Sequence, residues 1–170
     1  MIRVVTLDEF DPKQLGKFCQ TLYTAFGVGC EHSGEVKPPA GLSEPFDVEA
    51  LIKEMPRVNA YKDDKIVFLT RRKLAERELP SGKAPTHGFA LQGRDKAVVS
   101  THPKKDLEEG LKYAARHALH QIGHLWELHH CLDPRCSMYP PWTPSYQQGE
   151  AIFCTFCREK SEQKIRLAKS

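Results

Sequence analysis

Apolar positions in this chain fall first in a continuous run and then at helical spacing. Ile2 to Leu7 is apolar and β-branched, which predicts a buried first strand, and Leu15, Phe18, Cys19, Leu22 and Phe26 predict an amphipathic helix from Pro12 to Phe26. Val28 to Val36 predicts a weaker second strand. A loop rich in Pro38, Pro39, Gly41 and Pro45 leads to a short helix from Val48 to Met55, and Lys65 to Thr70 predicts a third strand. Two further strands, Thr86 to Gly93 and Lys96 to Thr101, flank the tight turn Gln92-Gly93-Arg94-Asp95. Strands that alternate with helices and then close as a hairpin imply an α/β (α+β) fold, with a mixed, mainly parallel twisted sheet carrying one antiparallel member.

Asp106 with Glu109 three residues later predicts a capping box at the start of the next helix. Leu107, Leu111, Ala114, Ala118, Ile122 and Leu125 share one arc of that helix, while His117, His120, His124 and Glu127 share another. One face is therefore expected under the sheet and the other toward a cleft. Beyond Cys131, Pro134, Pro140, Pro141 and Pro144 preclude long regular structure until a last helical turn at Gln163 to Lys169. The chain reads as a single domain with two parts: residues 1–126 hold the sheet and the long helix, and residues 127–170 form a small irregular subdomain that needs another source of order.

At 170 residues and 40% hydrophobic, the chain can bury one real core. Its formal charge of +3 is mild, and its lysines and arginines are dispersed. Neither nucleic acid nor membrane is expected as a partner. The start MIRVVTLDEF lacks the features of a signal peptide, so a cytoplasmic, monomeric protein is expected. Four of the six cysteines are tied to a histidine cluster and read as reduced thiolates, whereas Cys19 and Cys30 read as inert buried residues.

The candidate chemistry lies between His120 and Cys157. Histidines four apart share a helix face, so His120 and His124 can grip one metal ion, with His130 as a third nitrogen and a fourth position left to water. Cys131, Cys136, Cys154 and Cys157 offer a closed thiolate tetrahedron, the usual form of a structural zinc site. Other uses of these cysteines are a redox pair or a nucleic-acid-binding zinc ribbon. His129 competes with its neighbour His130. His32, His87 and His102 read as ordinary core or surface residues, and His117 as a residue behind the ligands or exposed, and not as a ligand.

The run HQIGHLWELHHC, then LDPRCSM, then CTFC, resembles the archaemetzincin signature of the metzincin zinc metallopeptidases. The resemblance implies a zincin-like fold and two zinc ions, one catalytic on His120, His124 and His130 and one structural on the four cysteines. It favours His130 over His129, and it makes Met138 the methionine of the tight turn beneath the catalytic metal. It also implies a peptide or protein substrate lying along the edge strand Thr86 to Gly93, which otherwise reads as an ordinary edge strand blunted by charge. Two departures fall on functional positions. Gln121 stands where the family has its general-base glutamate, which implies weak or absent hydrolysis and leaves open a non-catalytic peptide-binding role. Glu127 stands where the family has a glycine, so either the chain turns there and His130 is the third ligand, or the helix continues and Glu127 takes that place. The spacer from Met138 to Cys154 is also slightly short.

Overall fold

The elements run β1 (Ile2–Thr6), α1 (Pro12–Phe26), β2 (Cys30–Glu35), α2 (Val48–Glu54), β3 (Lys65–Thr70), β4 (Arg77–Leu79), β5 (Gly82–Ala84), β6 (Gly88–Ala90), β7 (Lys96–Ser100), α3 (Leu107–Leu125) and α4 (Thr155–Lys169). This is a computed structural model that describes residues 1–80, 82–146 and 149–169. All five residues of β1 are buried, as a strand covered on both faces requires. It pairs in parallel with β2 and β3, β3 pairs in parallel with β7, and β6 runs antiparallel to β7 at the edge, giving the order β2-β1-β3-β7-β6.

Alternation along the strands divides the core into two layers. Ile2, Val4, Val67, Leu69 and Val99 face α1 and α3, where Leu15, Phe18, Leu22, Ala118 and Ile122 close over them. Val5, Ile66, Phe68 and Val98 face the opposite side, against Leu51, Ile52, Met55, Phe46 and Leu74. Each fully buried aliphatic or aromatic side chain of this kind contributes about 1.5–3 kcal/mol of transfer free energy.

Helix boundaries follow local chemistry. Asp11 caps α1 by accepting from Gln14 N at 3.0 Å, Pro12 occupies the first turn, and Gly27 ends the helix in the left-handed region at φ 64°. Asp106 caps α3 by accepting from Glu109 N at 2.8 Å. The Glu109 carboxylate meets Lys104 Nζ at 3.3 Å instead of completing the capping box.

Two elements exceed the sequence-based expectation. The β4–β5 hairpin lies apart from the main sheet, and α4 begins at Thr155, well before Gln163. It buries Cys157, Ser161 and Ile165 at four-residue steps. Cys136, Met138, Phe153, Cys157 and Ile165 join the same buried cluster as α1 and α3, so the core crosses residue 126 without interruption. Among the described residues, no helix is long and apolar enough to cross a membrane.

Candidate metal centre

His120 and His124 project from the last turns of α3, and the backbone beyond the helix sets their ring orientation. His120 Nδ1 lies 2.8 Å from Ser137 O, and His124 Nδ1 lies 2.9 Å from Leu128 O. A carbonyl oxygen only accepts, so each Nδ1 carries the hydrogen and each Nε2 presents a lone pair. Burial holds the His120 pKa well below the ordinary histidine value and also lowers that of His124, which favours these neutral tautomers. The two Nε2 atoms are 3.0 Å apart. Two lone pairs at that separation repel unless a cation stands between them. Nitrogens bound at about 2.0–2.1 Å in a tetrahedron are roughly 3.3–3.4 Å apart, so the pair fits a zinc ion with a small adjustment.

His130 reaches the pair because the chain turns sharply after α3. Glu127 adopts φ 59°, the left-handed conformation, while Glu127 N donates to His124 O and Leu128 N to Gly123 O, both at 2.9 Å. The His130 ring then lies 5.2 Å from that of His120 and 4.9 Å from that of His124. One nitrogen from each of the three rings falls within 4.8 Å of the others. Glu127 points elsewhere: its carboxylate meets Lys164 of α4 at 2.7 Å, and that hydrogen bond holds its pKa below the ordinary glutamate value. His129 Nδ1 lies 3.4 Å from Gln92 Nε2. The geometry therefore gathers His130, and neither Glu127 nor His129, beside the helical pair.

A second cluster begins one residue later. Sulfurs of Cys131, Cys136, Cys154 and Cys157 lie within 4.8 Å of one another, and Cys131 Sγ to Cys154 Sγ is 3.7 Å. A disulfide needs about 2.05 Å, whereas thiolates at about 2.3 Å from a central zinc are roughly 3.8 Å apart. All six cysteines are free. Backbone N–H groups of Asp133, Cys154 and Cys157 point at the sulfurs of Cys131, Cys136 and Cys154 at 3.4, 3.4 and 3.5 Å, the environment that stabilises thiolates. Accepting from the Cys157 thiol lowers the Cys136 pKa below the ordinary thiol value, while the same bond raises that of Cys157.

Two glycines allow close approach around the helix. A Cβ on Gly123 would lie 2.4 Å from Met138 Sδ, so only glycine lets that fully buried methionine sit directly against α3. A Cβ on Gly88 would lie 3.0 Å from Gln121 Cγ, so the bare backbone of β6 lets Gln121 rise beside the sheet edge. Between β6, the hairpin and the Pro141-Trp142 wall lies a cleft of about 530 Å³, floored by His120, Gln121 and His124.

A family model described as Peptidase family M54 matches residues 41–163, a span that includes both clusters. The chain belongs to this family, the archaemetzincins. Comparison with curated proteins gives no match. Among solved structures, the M54 chain is similar to an archaemetzincin from Methanopyrus kandleri (TM-score 0.76, 22% identity, 97% of this chain and 94% of that one). It is also similar to an archaemetzincin from Archaeoglobus fulgidus complexed with malonate (TM-score 0.71, 16% identity, 94% and 99%). A zinc-dependent peptidase from Methanocorpusculum labreanum gives a TM-score of 0.69 at 18% identity, over 95% of this chain and all of that one. The M54 chain thus has the fold of this zinc metallopeptidase family and carries histidine and cysteine groups suited to zinc.

Several residues that the sequence did not assign to a cleft line it. His87, expected as an ordinary core or surface residue, and His117, expected near the ligands or exposed but not as a ligand, both line the cleft, with ring centroids 5.2 Å apart. His117 is 3% exposed, its Nε2 has no partner among the described residues, and burial lowers its pKa to about 3. Its place on the histidine face of α3 was the available signal. Arg77 and Lys83 come from the unexpected hairpin and had none.

Proposed function

We propose that this chain is a zinc-dependent peptidase domain whose peptide-bond hydrolysis is weak or absent because Gln121 occupies the general-base position. His120, His124 and His130 would hold the cleft zinc, and Cys131, Cys136, Cys154 and Cys157 a second, structural zinc. The observation that carries this reading is the pair of Nε2 lone pairs turned on one another at 3.0 Å and joined by a third imidazole. Zinc bound there supplies Lewis acidity toward a scissile carbonyl and lowers the pKa of a water toward about 7.

The chain's own residues then determine how far the reaction goes. β6 is an edge strand, and its free backbone groups can pair with an extended peptide running antiparallel to it across the cleft. The Ser137 and Leu128 carbonyls hold the His120 and His124 rings in the tautomer that keeps Nε2 available. Gln121, 7% exposed and at the cleft floor, can accept a hydrogen bond from water and orient it. An amide has no useful basicity, so it neither takes the water proton nor delivers one to the leaving amine.

A non-catalytic peptide-binding module is the second reading, favoured by Gln121 itself. Hydrolysis of a quenched fluorescent peptide by the zinc-loaded chain and by Gln121→Glu separates the two. The glutamate variant is expected to gain about 10²–10⁴ in rate, or roughly 3–5 kcal/mol of barrier. Strong cleavage by the unaltered chain would assign the base to another residue, and no gain in the variant would favour the binding module.

A further inference from the structure

The walls of the cleft carry charge of one sign. Among the described residues lining it, there is no aspartate or glutamate, and Gln121 is neutral where the family has a carboxylate. Arg77 and Lys83 supply cations from the β4–β5 hairpin. The Arg77 guanidinium lies 4.4 Å from the centroid of the Phe89 ring, and Phe89 is buried in β6. That stacking fixes a planar, bidentate donor beside the strand on which a peptide would lie. Lys83 stands opposite Glu78 across the hairpin, but Glu78 does not line the cleft. Among the described residues, neither Arg77 nor Lys83 forms an ion pair.

The cleft floor adds an independent observation. His117 Nε2 is buried without a partner among the described residues, at a position that lines the cleft, with Tyr113 at 4.6 Å and His87 at 5.2 Å between ring centroids. A polar atom left unsatisfied in this way costs about 1–3 kcal/mol, which a ligand group reaching it would recover. A carboxylate satisfies both features: it pairs with the guanidinium in a fork and, in the tautomer that carries the hydrogen on Nε2, accepts from the His117 imidazole. A zinc ion on the neighbouring histidines would add to the same positive field.

We propose that the cleft selects acidic peptides, with aspartate or glutamate side chains held by Arg77 and Lys83 at the hairpin wall and by His117 on the floor. The inference rests on the cleft being a peptide site. A peptide fits better than a nucleic acid because β6 offers main-chain pairing and the protein's overall charge is mild.

The zinc-loaded, unaltered chain is suited to the test, since Gln121 preserves the bound peptide. Fluorescence anisotropy would compare three labelled octapeptides that differ only in carrying glutamate, glutamine or lysine at alternate positions. The glutamate peptide is expected to bind about tenfold more tightly than the glutamine peptide at 10 mM salt, falling to about threefold at 0.15 M as screening grows. The double variant Arg77→Gln, Lys83→Gln should retain its zinc and bring the two peptides within twofold of each other. His117→Phe, which keeps an aromatic ring but no nitrogen, should weaken the glutamate peptide by about threefold. Equal binding of all three peptides, preference for lysine, persistence of the preference in the double variant, or displacement by a single-stranded oligonucleotide would overturn the proposal. Failure to bind any peptide would overturn the peptide-site reading beneath it as well.

Discussion

Arg116 is a buried cation without a carboxylate among the described residues. It is 3% exposed, and its donors reach Tyr146 Oη at 3.1 Å, Arg135 O at 3.2 Å, Glu150 O at 2.7 Å, Pro134 O at 3.2 Å and Cys136 O at 3.4 Å. One guanidinium thus gathers the loop that presents Cys136 and the Ser137 carbonyl that orients His120. Arg116→Met keeps most of the side-chain volume and removes every donor. The carbonyls of Arg135 and Glu150, at exposed residues, can turn to water, and that of Cys136 keeps its bond from Tyr139 N at 3.0 Å, so the loss falls on the bonds from the guanidinium itself. A hydrogen bond from a charged donor is worth about 1.5–3 kcal/mol, and those to Pro134 O and Cys136 O are the ones that water replaces least. Relief from burying the cation offsets part of this, so the expected loss is about 3 kcal/mol, roughly two decades in the folding equilibrium. Urea denaturation of the zinc-loaded protein at pH 7 measures it, and competition with a chromogenic chelator should show weaker zinc retention. Arg116→Lys should recover less than half the loss, because three donors on one ammonium cannot span the same carbonyls. A methionine variant within about 0.5 kcal/mol of the parent, with unchanged zinc retention, would refute this account of the clamp.

Three further outcomes are expected. Gly123→Ala gains about 1 kcal/mol of helix propensity but drives a methyl into Met138 Sδ, an overpacking cost of about 1–3 kcal/mol, so its thermal midpoint should fall; a rise would show that the methionine moves freely. Desolvation raises the Asp64 carboxyl, but hydrogen bonds from Arg3 and Tyr61 N outweigh it and hold its pKa below the ordinary aspartate value. The stability linked to it is therefore present above about pH 4 and lost as pH falls through the folded value, so Asp64→Asn should cost stability at pH 7 and flatten the acid limb of a urea-midpoint profile. A mild chelator should remove one zinc equivalent with little change in circular dichroism, and a second should leave only with loss of helical signal from the carboxy-terminal segment; a single equivalent per native chain would contradict the two-site reading.

The sequence displayed the parts of the fold that have local causes. Asp11, Pro12 and Gly27 bound α1 at the residues its apolar spacing marks, and the change from parallel to antiparallel pairing follows from the short turn between β6 and β7. Both metal-suited clusters were legible because their members lie within 38 residues and at spacings dictated by one helix and its exit. The length of α4 was hidden, since its buried stripe includes Ser161 and its remaining surface is charged. His87 meets His117 across 30 positions, a proximity that only the sheet creates. The role of Arg116 was hidden for another reason: backbone carbonyls, which every residue has, leave no mark in a sequence.

His130 and Cys131 are consecutive, yet one faces the helical histidines and the other the sulfur cluster. A peptide unit spans only about 3.8 Å between Cα atoms and does not stretch, so the two centres cannot move independently. Joining Cys131 to Cys154 as a disulfide would draw their sulfurs from 3.7 Å to about 2.05 Å and pull the backbone that carries His130. An oxidant acting only on sulfur would thus reshape a cleft built from nitrogen.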